Sequence, residues 1–164
     1  MKALEIGCGD VQTVGFEHLD SRPLPGVDHV QSAVDLSNLP SDTYDLVIAK
    51  DVVEHLSWWD VPTALGEWLR VVRPGGHLVV ETPNAEELVQ LIANPSAAGL
   101  RRWGGESDWQ RFSRVAYGHQ DYPENFHGCY FTPEWLEELL LDAGAAKVET
   151  LHRDLFRFQL RATK

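Results

Sequence analysis

The sequence predicts an α/β fold, a mostly parallel sheet that ends in an antiparallel hairpin. Three observations predict it. The stretch "LEIGCG" (4–9) drops a short apolar run into a glycine-rich turn, as strands do where an open α/β sheet holds a ligand. "YDLVIAK" (44–50) is almost continuously apolar, as a strand covered on both faces is. "AKVETLHRD" and "LFRFQLRAT" (146–163) alternate like two antiparallel strands joined by a tight turn.

The elements follow in order. "KALEI" is the first strand, "VGFEHLD" the second, ending on Asp20, and "DHVQSAV" a short third. "YDLVIAK" is the fourth. In "WDVPTALGEWLRVV" Val61, Leu65, Trp68, Leu69 and Val72 recur at helical spacing, and Pro62 sits in the first turn, where proline is tolerated. "RPGG" stops that helix and "HLVVETP" is the fifth strand. Residues 84–93 read as helix. Residues 94–131 are rich in Gly, Trp, Tyr, His and Arg and have weak periodicity. "TPEWLEELLLDAG" is a helix capped by Thr132, opened by Pro133 and ended by Gly144. The closing hairpin completes the sheet.

Composition narrows the classes. The 164 residues suit one domain, and 43% hydrophobic with 24% charged residues is ordinary for a soluble globule. No apolar run is long enough to span a bilayer, and no basic flank leads into an apolar stretch at the N-terminus. Cys8 and Cys129 make no disulfide framework. A cytoplasmic protein without membrane association is the expectation. The net charge of −11 argues against a broad grip on nucleic acid, which requires Lys and Arg. Arg101, Arg102, Arg111 and Arg114 read as a solvated face.

Ligands of open α/β sheets bind beyond the C-terminal ends of the strands. There the first strand delivers Glu5 and Gly7-Cys8-Gly9, the second Asp20 and Ser21, the third Asp35-Leu36, and the fourth Lys50 and Asp51. The third glycine of a dinucleotide loop is missing, and so is the Gly-Lys-Ser/Thr of a P-loop. A carboxylate at the end of the second strand accepts hydrogen bonds from a ribose diol. Asp35 suits the amino group of a base, with Leu36 against the ring. Negative charge near Glu5 suits a cation rather than a pyrophosphate. These features describe a nucleoside that carries positive charge and no phosphate, as S-adenosylmethionine does.

"LEIGCG" (4–9), Asp20, "VDL" (34–36), "YDLVIAKDVVEHL" (44–56) and "RVVRPGGHLVVETPN" (70–84) together resemble the class I S-adenosylmethionine-dependent methyltransferases. The resemblance is nearest the small bacterial branch with "GFxxLDxRPxPGVD", here "GFEHLDSRPLPGVD" (15–28). It implies a Rossmann-like sheet of seven strands, or slightly fewer, with helices on both faces. It also implies methyl transfer with S-adenosyl-L-homocysteine as product, in one domain over residues 1–164 with a lid or acceptor insertion at about 94–131. Two departures stand out. The N-terminal helix before the first strand is missing, and too few residues separate Gly9 from the second strand for the usual helix. One flank of the sheet is then thin, which a homodimer partner would cover. Asp51 stands where relatives often carry His or Asn.

Methyl transfer from a sulfonium requires alignment and dryness more than a protein nucleophile. A general base helps a hydroxyl or amine acceptor, and His is the commonest. "DVVEH" places Asp51, Glu54 and His55 at the sheet mouth. By resemblance, the "YGHQDYPENFHGCYF" stretch folds over the site, with Tyr117, His119 and His127 lining an acceptor pocket. His55, His127 and Tyr117 are the catalytic candidates. His119, His127 and Cys129 match no standard zinc spacing, and no metal is expected. Trp58, Trp59, Trp103 and Trp109 read first as core. The expected partner is a small-molecule, sugar or natural-product acceptor. The alternative is a non-catalytic cofactor-binding or partner subunit with a degenerate fold.

Overall fold

A computed structural model describes residues 1–93 and 107–164. The chain forms a seven-stranded sheet of β1 (Ala3–Ile6), β2 (Glu17–Asp20), β3 (His29–Val30), β4 (Tyr44–Lys50), β5 (Val72–Pro83), β6 (Lys147–Arg153) and β7 (Arg157–Thr163). Their spatial order is β3-β2-β1-β4-β5-β7-β6. The first five strands are parallel, while β7 runs antiparallel to β5 and β6. The order reverses at β1 and β4, which opens a crevice at their C-terminal ends. The described residues also form the α-helices α1 (Val61–Val71), α2 (Ala85–Ala93), α3 (Asp108–Tyr117) and α4 (Pro133–Asp142).

The core lies on one face. Leu4, Ile6, Val47, Leu78, Val80 and Leu160 alternate toward it, and α1 and α4 close it with Leu65, Trp68, Leu136 and Leu140. Trp68 is fully buried and its Nε1 donates to the Ala33 carbonyl at 2.7 Å. Arg70 reaches the Leu36 and Leu39 carbonyls at 2.7 and 3.0 Å. Those bonds fix the irregular segment 31–43, which stands where a helix would otherwise join β3 to β4.

The helices that join this core, α1 and α4, share one face. The cause is local. The β1–β2, β2–β3 and β3–β4 connections of the first fifty residues contain no helix. The thin flank read from the sequence is therefore real, but it is polar. Gln159 donates to Glu81 at 2.9 Å, Arg161 to Glu149 at 2.7 Å, and Thr163 Oγ1 meets His77 Nδ1 at 3.2 Å. Such a face tolerates water. Glu5 and His18 strap the β1–β2 loop to the same side. Thr13 donates through N and Oγ1 to Glu5, both at 2.7 Å, and His18 Nε2 donates to the Thr13 carbonyl at 3.0 Å.

Several sequence readings change. The fifth strand begins at Val72 and takes in "RPGG", because the register shifts opposite Tyr44–Leu46. A helix, α3, occupies part of the weakly periodic stretch. Its Ser107 and Gln110 form a capping box, a local signal the periodicity masked. Arg111 is not solvated. It is buried in an ion pair with Glu87 of α2. Trp58 and Trp59 are exposed, the latter by 80%, rather than core. Arg101, Arg102 and Trp103 lie outside the described residues, as does the side chain of Trp109. Among the described residues no helix is long and apolar enough to cross a membrane.

Candidate active site

Two adjoining clefts lie beyond the C-terminal strand ends. The first, about 300 Å³, is bounded by the β1–β2 turn, the end of β2, the 31–33 segment and the 122–126 loop. Its floor is set by backbone geometry. Gly7 and Gly9 have φ of +65° and +56°, which only glycine adopts without strain, and this turns the chain sharply after β1. Gly7 N and Cys8 N both donate to the Leu19 carbonyl, at 2.7 and 3.1 Å, so the turn is clamped to β2.

Asp20 sits where that clamp points. Its carboxylate accepts from Gly9 N at 2.9 Å, from Arg22 N at 2.9 Å and from Arg22 Nε at 3.2 Å. Burial pushes its carboxyl up, but the bonds from Arg22 and Gly9 outweigh that and hold it below the usual carboxylate range. It is an ionised acceptor facing the cleft. The Arg22 guanidinium also stacks 4.3 Å from the ring centre of Tyr122, so it bridges the cleft floor to the covering loop. In the sequence Arg22 stands only as part of "GFEHLDSRPLPGVD", and its bridging role emerges from the fold.

The second cleft, about 280 Å³, shares Asp51, His55 and Tyr122 with the first and extends to His127, Arg157 and Pro83. Asp51, at φ +53°, is held by Arg157 Nη2 at 3.0 Å. Val53–His55 form one 3-10 turn. That turn is tied to the loop, since Gly128 N and Cys129 N donate to the Glu54 carbonyl at 2.7 and 3.2 Å. Gly128 is required there, because a Cβ would overlap the Leu56 carbonyl.

The two histidines have defined tautomers. His55 Nδ1 lies 3.1 Å from the Phe126 carbonyl and His127 Nδ1 lies 2.8 Å from the Val115 carbonyl. A carbonyl only accepts, so each Nδ1 carries the proton and each Nε2 keeps its lone pair. Burial lowers both imidazole pKa values, which favours this neutral form. The rings meet edge to face with centres 4.9 Å apart. Beside them Glu54 is 2% exposed, and its Oε2 accepts from Thr82 Oγ1 at 2.9 Å. Burial and the Asp51 charge push the Glu54 carboxyl up to about 8, against the hydrogen bonds and Arg157 that favour its ionised form.

The structure brings together Gly7, Gly9, Asp20, Ser21, Asp51 and His55 at the first cleft and adds His127 at the second. Other expected residues serve differently. Glu5 is occupied by Thr13 and positions the loop. Cys8 is buried behind the turn, and burial with the charges of Asp20 and Glu5 pushes its thiol up to about 11, so it is inert. Asp35 is exposed and accepts from Ser37 N, while Leu36 is wholly in the core. Ser32 and Ala33 line the cleft in their place. Lys50 is exposed and lines neither cleft, and Tyr117, 55% exposed, lines neither either.

The strand order, the glycine turn and the carboxylate at the end of β2 define a class I S-adenosylmethionine-dependent methyltransferase domain. A methyltransferase-domain family model matches residues 1–150, and the chain belongs to that family. Curated relatives include a ubiquinone biosynthesis O-methyltransferase of Rhodopseudomonas palustris (strain HaA2). It is 26% identical over 152 residues, covering 78% of this chain and 57% of the relative. One of the same description from Bradyrhizobium sp. (strain ORS 278) is 36% identical over 75 residues, or 44% of this chain and 29% of the relative. The chain thus spans about half or less of the length of these relatives. A solved methyltransferase from Archaeoglobus fulgidus matches 99% of this chain and 86% of its own, with TM-score 0.65 at 16% identity, which shows the fold alone.

Proposed function

We propose that this chain methylates a small-molecule acceptor, with S-adenosylmethionine in the first cleft and the acceptor in the second. The observation that carries the reading is that the clefts meet at Asp51, His55 and Tyr122. An in-line displacement requires two sites that open onto one point. The first cleft fits the cofactor by its chemistry. Gly7 and Gly9 leave a floor without side chains, and Asp20 offers an ionised acceptor to a ribose diol. Arg22 shares that carboxylate and turns aside or shares it when the diol arrives. S-adenosylmethionine supplies a methyl group on a positively charged sulfur.

The chain's own residues then orient and dry the acceptor. Tyr122 of the 122–126 loop lines both clefts and shields the point where they meet. His55 and His127 line the second cleft, and their Nε2 lone pairs can take a proton from an acceptor hydroxyl. Curated relatives are described as O-methyltransferases of ubiquinone biosynthesis, which favours an oxygen acceptor on a small organic molecule.

Isothermal titration with S-adenosylhomocysteine, with NAD as control, tests the cofactor assignment. Binding of the first alone supports it, and binding of neither turns the reading to a non-catalytic partner subunit. His127→Ala should lower turnover of a phenolic or sugar hydroxyl at least tenfold and leave S-adenosylhomocysteine affinity unchanged. A collapse of cofactor affinity would make His127 a structural residue.

A further inference from the structure

The wall between the two clefts holds more than a pair of bases. Glu54, His55 and His127 each present one ligand atom, and those atoms all lie within 4.8 Å of one another. They come from two separated segments, the 3-10 turn after β4 and the loop after α3, brought together by the bonds from Gly128 and Cys129 to the Glu54 carbonyl. We propose that Glu54, His55 and His127 form a binding site for one divalent transition-metal ion, facing the acceptor cleft. The inference deepens the proposed function and rests on its assignment of the second cleft to the acceptor.

Four features argue for an ion rather than a chance meeting of polar groups. The donor set is two imidazoles and one carboxylate, which suits Zn²⁺, Mn²⁺, Fe²⁺ or Co²⁺ far better than the all-oxygen preference of Mg²⁺ or Ca²⁺. Each imidazole already donates its Nδ1 proton to a backbone carbonyl, Phe126 for His55 and Val115 for His127. That is the outer support a ligating histidine requires, and it leaves Nε2 as the metal-facing nitrogen. Thr82 supports the Glu54 carboxyl in the same way, at 2.9 Å. Glu54 is 2% exposed, with Asp51 as a second negative neighbour and Arg157 opposing them. A buried carboxyl that faces two lone pairs is costly unless a proton or a cation lies between them. The second cleft provides an entry path.

The geometry asks for modest closure. Ligands on a zinc ion at about 2.0–2.1 Å stand about 3.3 Å apart, so the donors must draw in by about 1.5 Å at most. Rotation of Glu54 about its side-chain torsions and a small swing of each ring about its carbonyl bond supply that. With an ion in place the histidine lone pairs are spent on it. An ion there would hold the acceptor oxygen and make its proton more acidic, so that the proton could pass to solvent through the open second cleft as the methyl group moves from sulfur to oxygen.

The test uses the whole chain, stripped with EDTA and titrated separately with Mn²⁺, Zn²⁺ and Mg²⁺, with Co²⁺ for visible absorption. One equivalent of Mn²⁺ or Zn²⁺ should bind per chain, with Mg²⁺ at least tenfold weaker. His127→Gln and His55→Gln should each weaken Mn²⁺ binding at least tenfold and alter the Co²⁺ bands. Both variants should keep the circular dichroism spectrum of the parent, and His127→Gln, at a residue that lines the second cleft alone, should also keep its S-adenosylhomocysteine affinity. Absence of stoichiometric binding, or binding that neither variant changes, overturns the site. Metal binding without S-adenosylhomocysteine binding would keep the site and sink the functional reading. The reverse result would sink the site alone.

Discussion

Gly7→Ala tests the link between the chain's first turn and its cofactor cleft. A Cβ at this position would overlap Val52 Cγ2 and come within 3.4 Å of Cγ1, on a backbone with φ of +65°. Gly9 is the internal control. Its φ is +56°, but a Cβ there would meet nothing nearer than Arg22 Nη2 at 3.8 Å. Both substitutions incur the strain of a left-handed alanine, about 1 kcal/mol. Only Gly7→Ala adds the overlap with a buried Val52, about 1–3 kcal/mol for a packed site. Urea denaturation should therefore place Gly7→Ala about 2–4 kcal/mol below the parent and Gly9→Ala about 1 kcal/mol below. The double variant Gly7→Ala/Val52→Ala should recover about 1–3 kcal/mol of the overlap as a coupling energy. Because Gly7 N clamps the turn to Leu19, S-adenosylhomocysteine affinity should fall with Gly7→Ala and partly return in the double variant. Equal losses at Gly7 and Gly9, or no coupling with Val52, would refute the account of this turn.

Asp20→Ala strands Gly9 N and the Arg22 side chain as well as a ribose diol, and should weaken S-adenosylhomocysteine binding by about 1.5–3 kcal/mol in a titration. Glu17 gives a pH signature. Burial raises its carboxyl, but bonds from Tyr44, His29 and Lys2 prevail and hold it at about 2, below its ordinary 4.5. A depressed carboxyl stabilises fully above about pH 4.5 and loses that contribution as pH falls toward 2. Tyr44→Phe, which removes a 2.6 Å bond to Glu17, should thus lower stability by about 1.5 kcal/mol at pH 7, and urea midpoints should show the gap narrowing by pH 3. Arg111→Met leaves Glu87 buried without its cation, at about 3 kcal/mol near neutral pH. Protonation of Glu87 relieves that cost, so thermal melts should show a smaller deficit at pH 5 than at pH 7.

The site was partly legible because some of its chemistry is local. Gly7, Gly9 and Asp20 follow directly from strand ends, and the structure places all three at the first cleft. His55 and His127 were legible as candidates but not as neighbours, since 71 positions separate His55 from its partner Phe126. Glu5, Asp35, Leu36 and Lys50 look equivalent to the residues that line the first cleft because the sequence places them after strands. Glu5 is engaged by Thr13, Asp35 by Ser37 N, Leu36 lies in the core and Lys50 is exposed, so none of them lines the cleft. Arg22 and Glu54 went unassigned because their roles depend on Tyr122 and Thr82, which arrive from other elements.

By itself the sequence determined the strands, the helix caps and the glycine turn, because these are set by periodicity, φ preference and hydrogen bonds within a few residues. It determined the family as well, through an ordered set of such local signals. The tertiary structure alone decided which face of the sheet the helices cover and that the other face is ion-paired. It also decided that two histidines and a buried glutamate meet between two clefts. Those facts depend on which long-range contacts satisfy which buried polar groups, and no local pattern encodes that pairing.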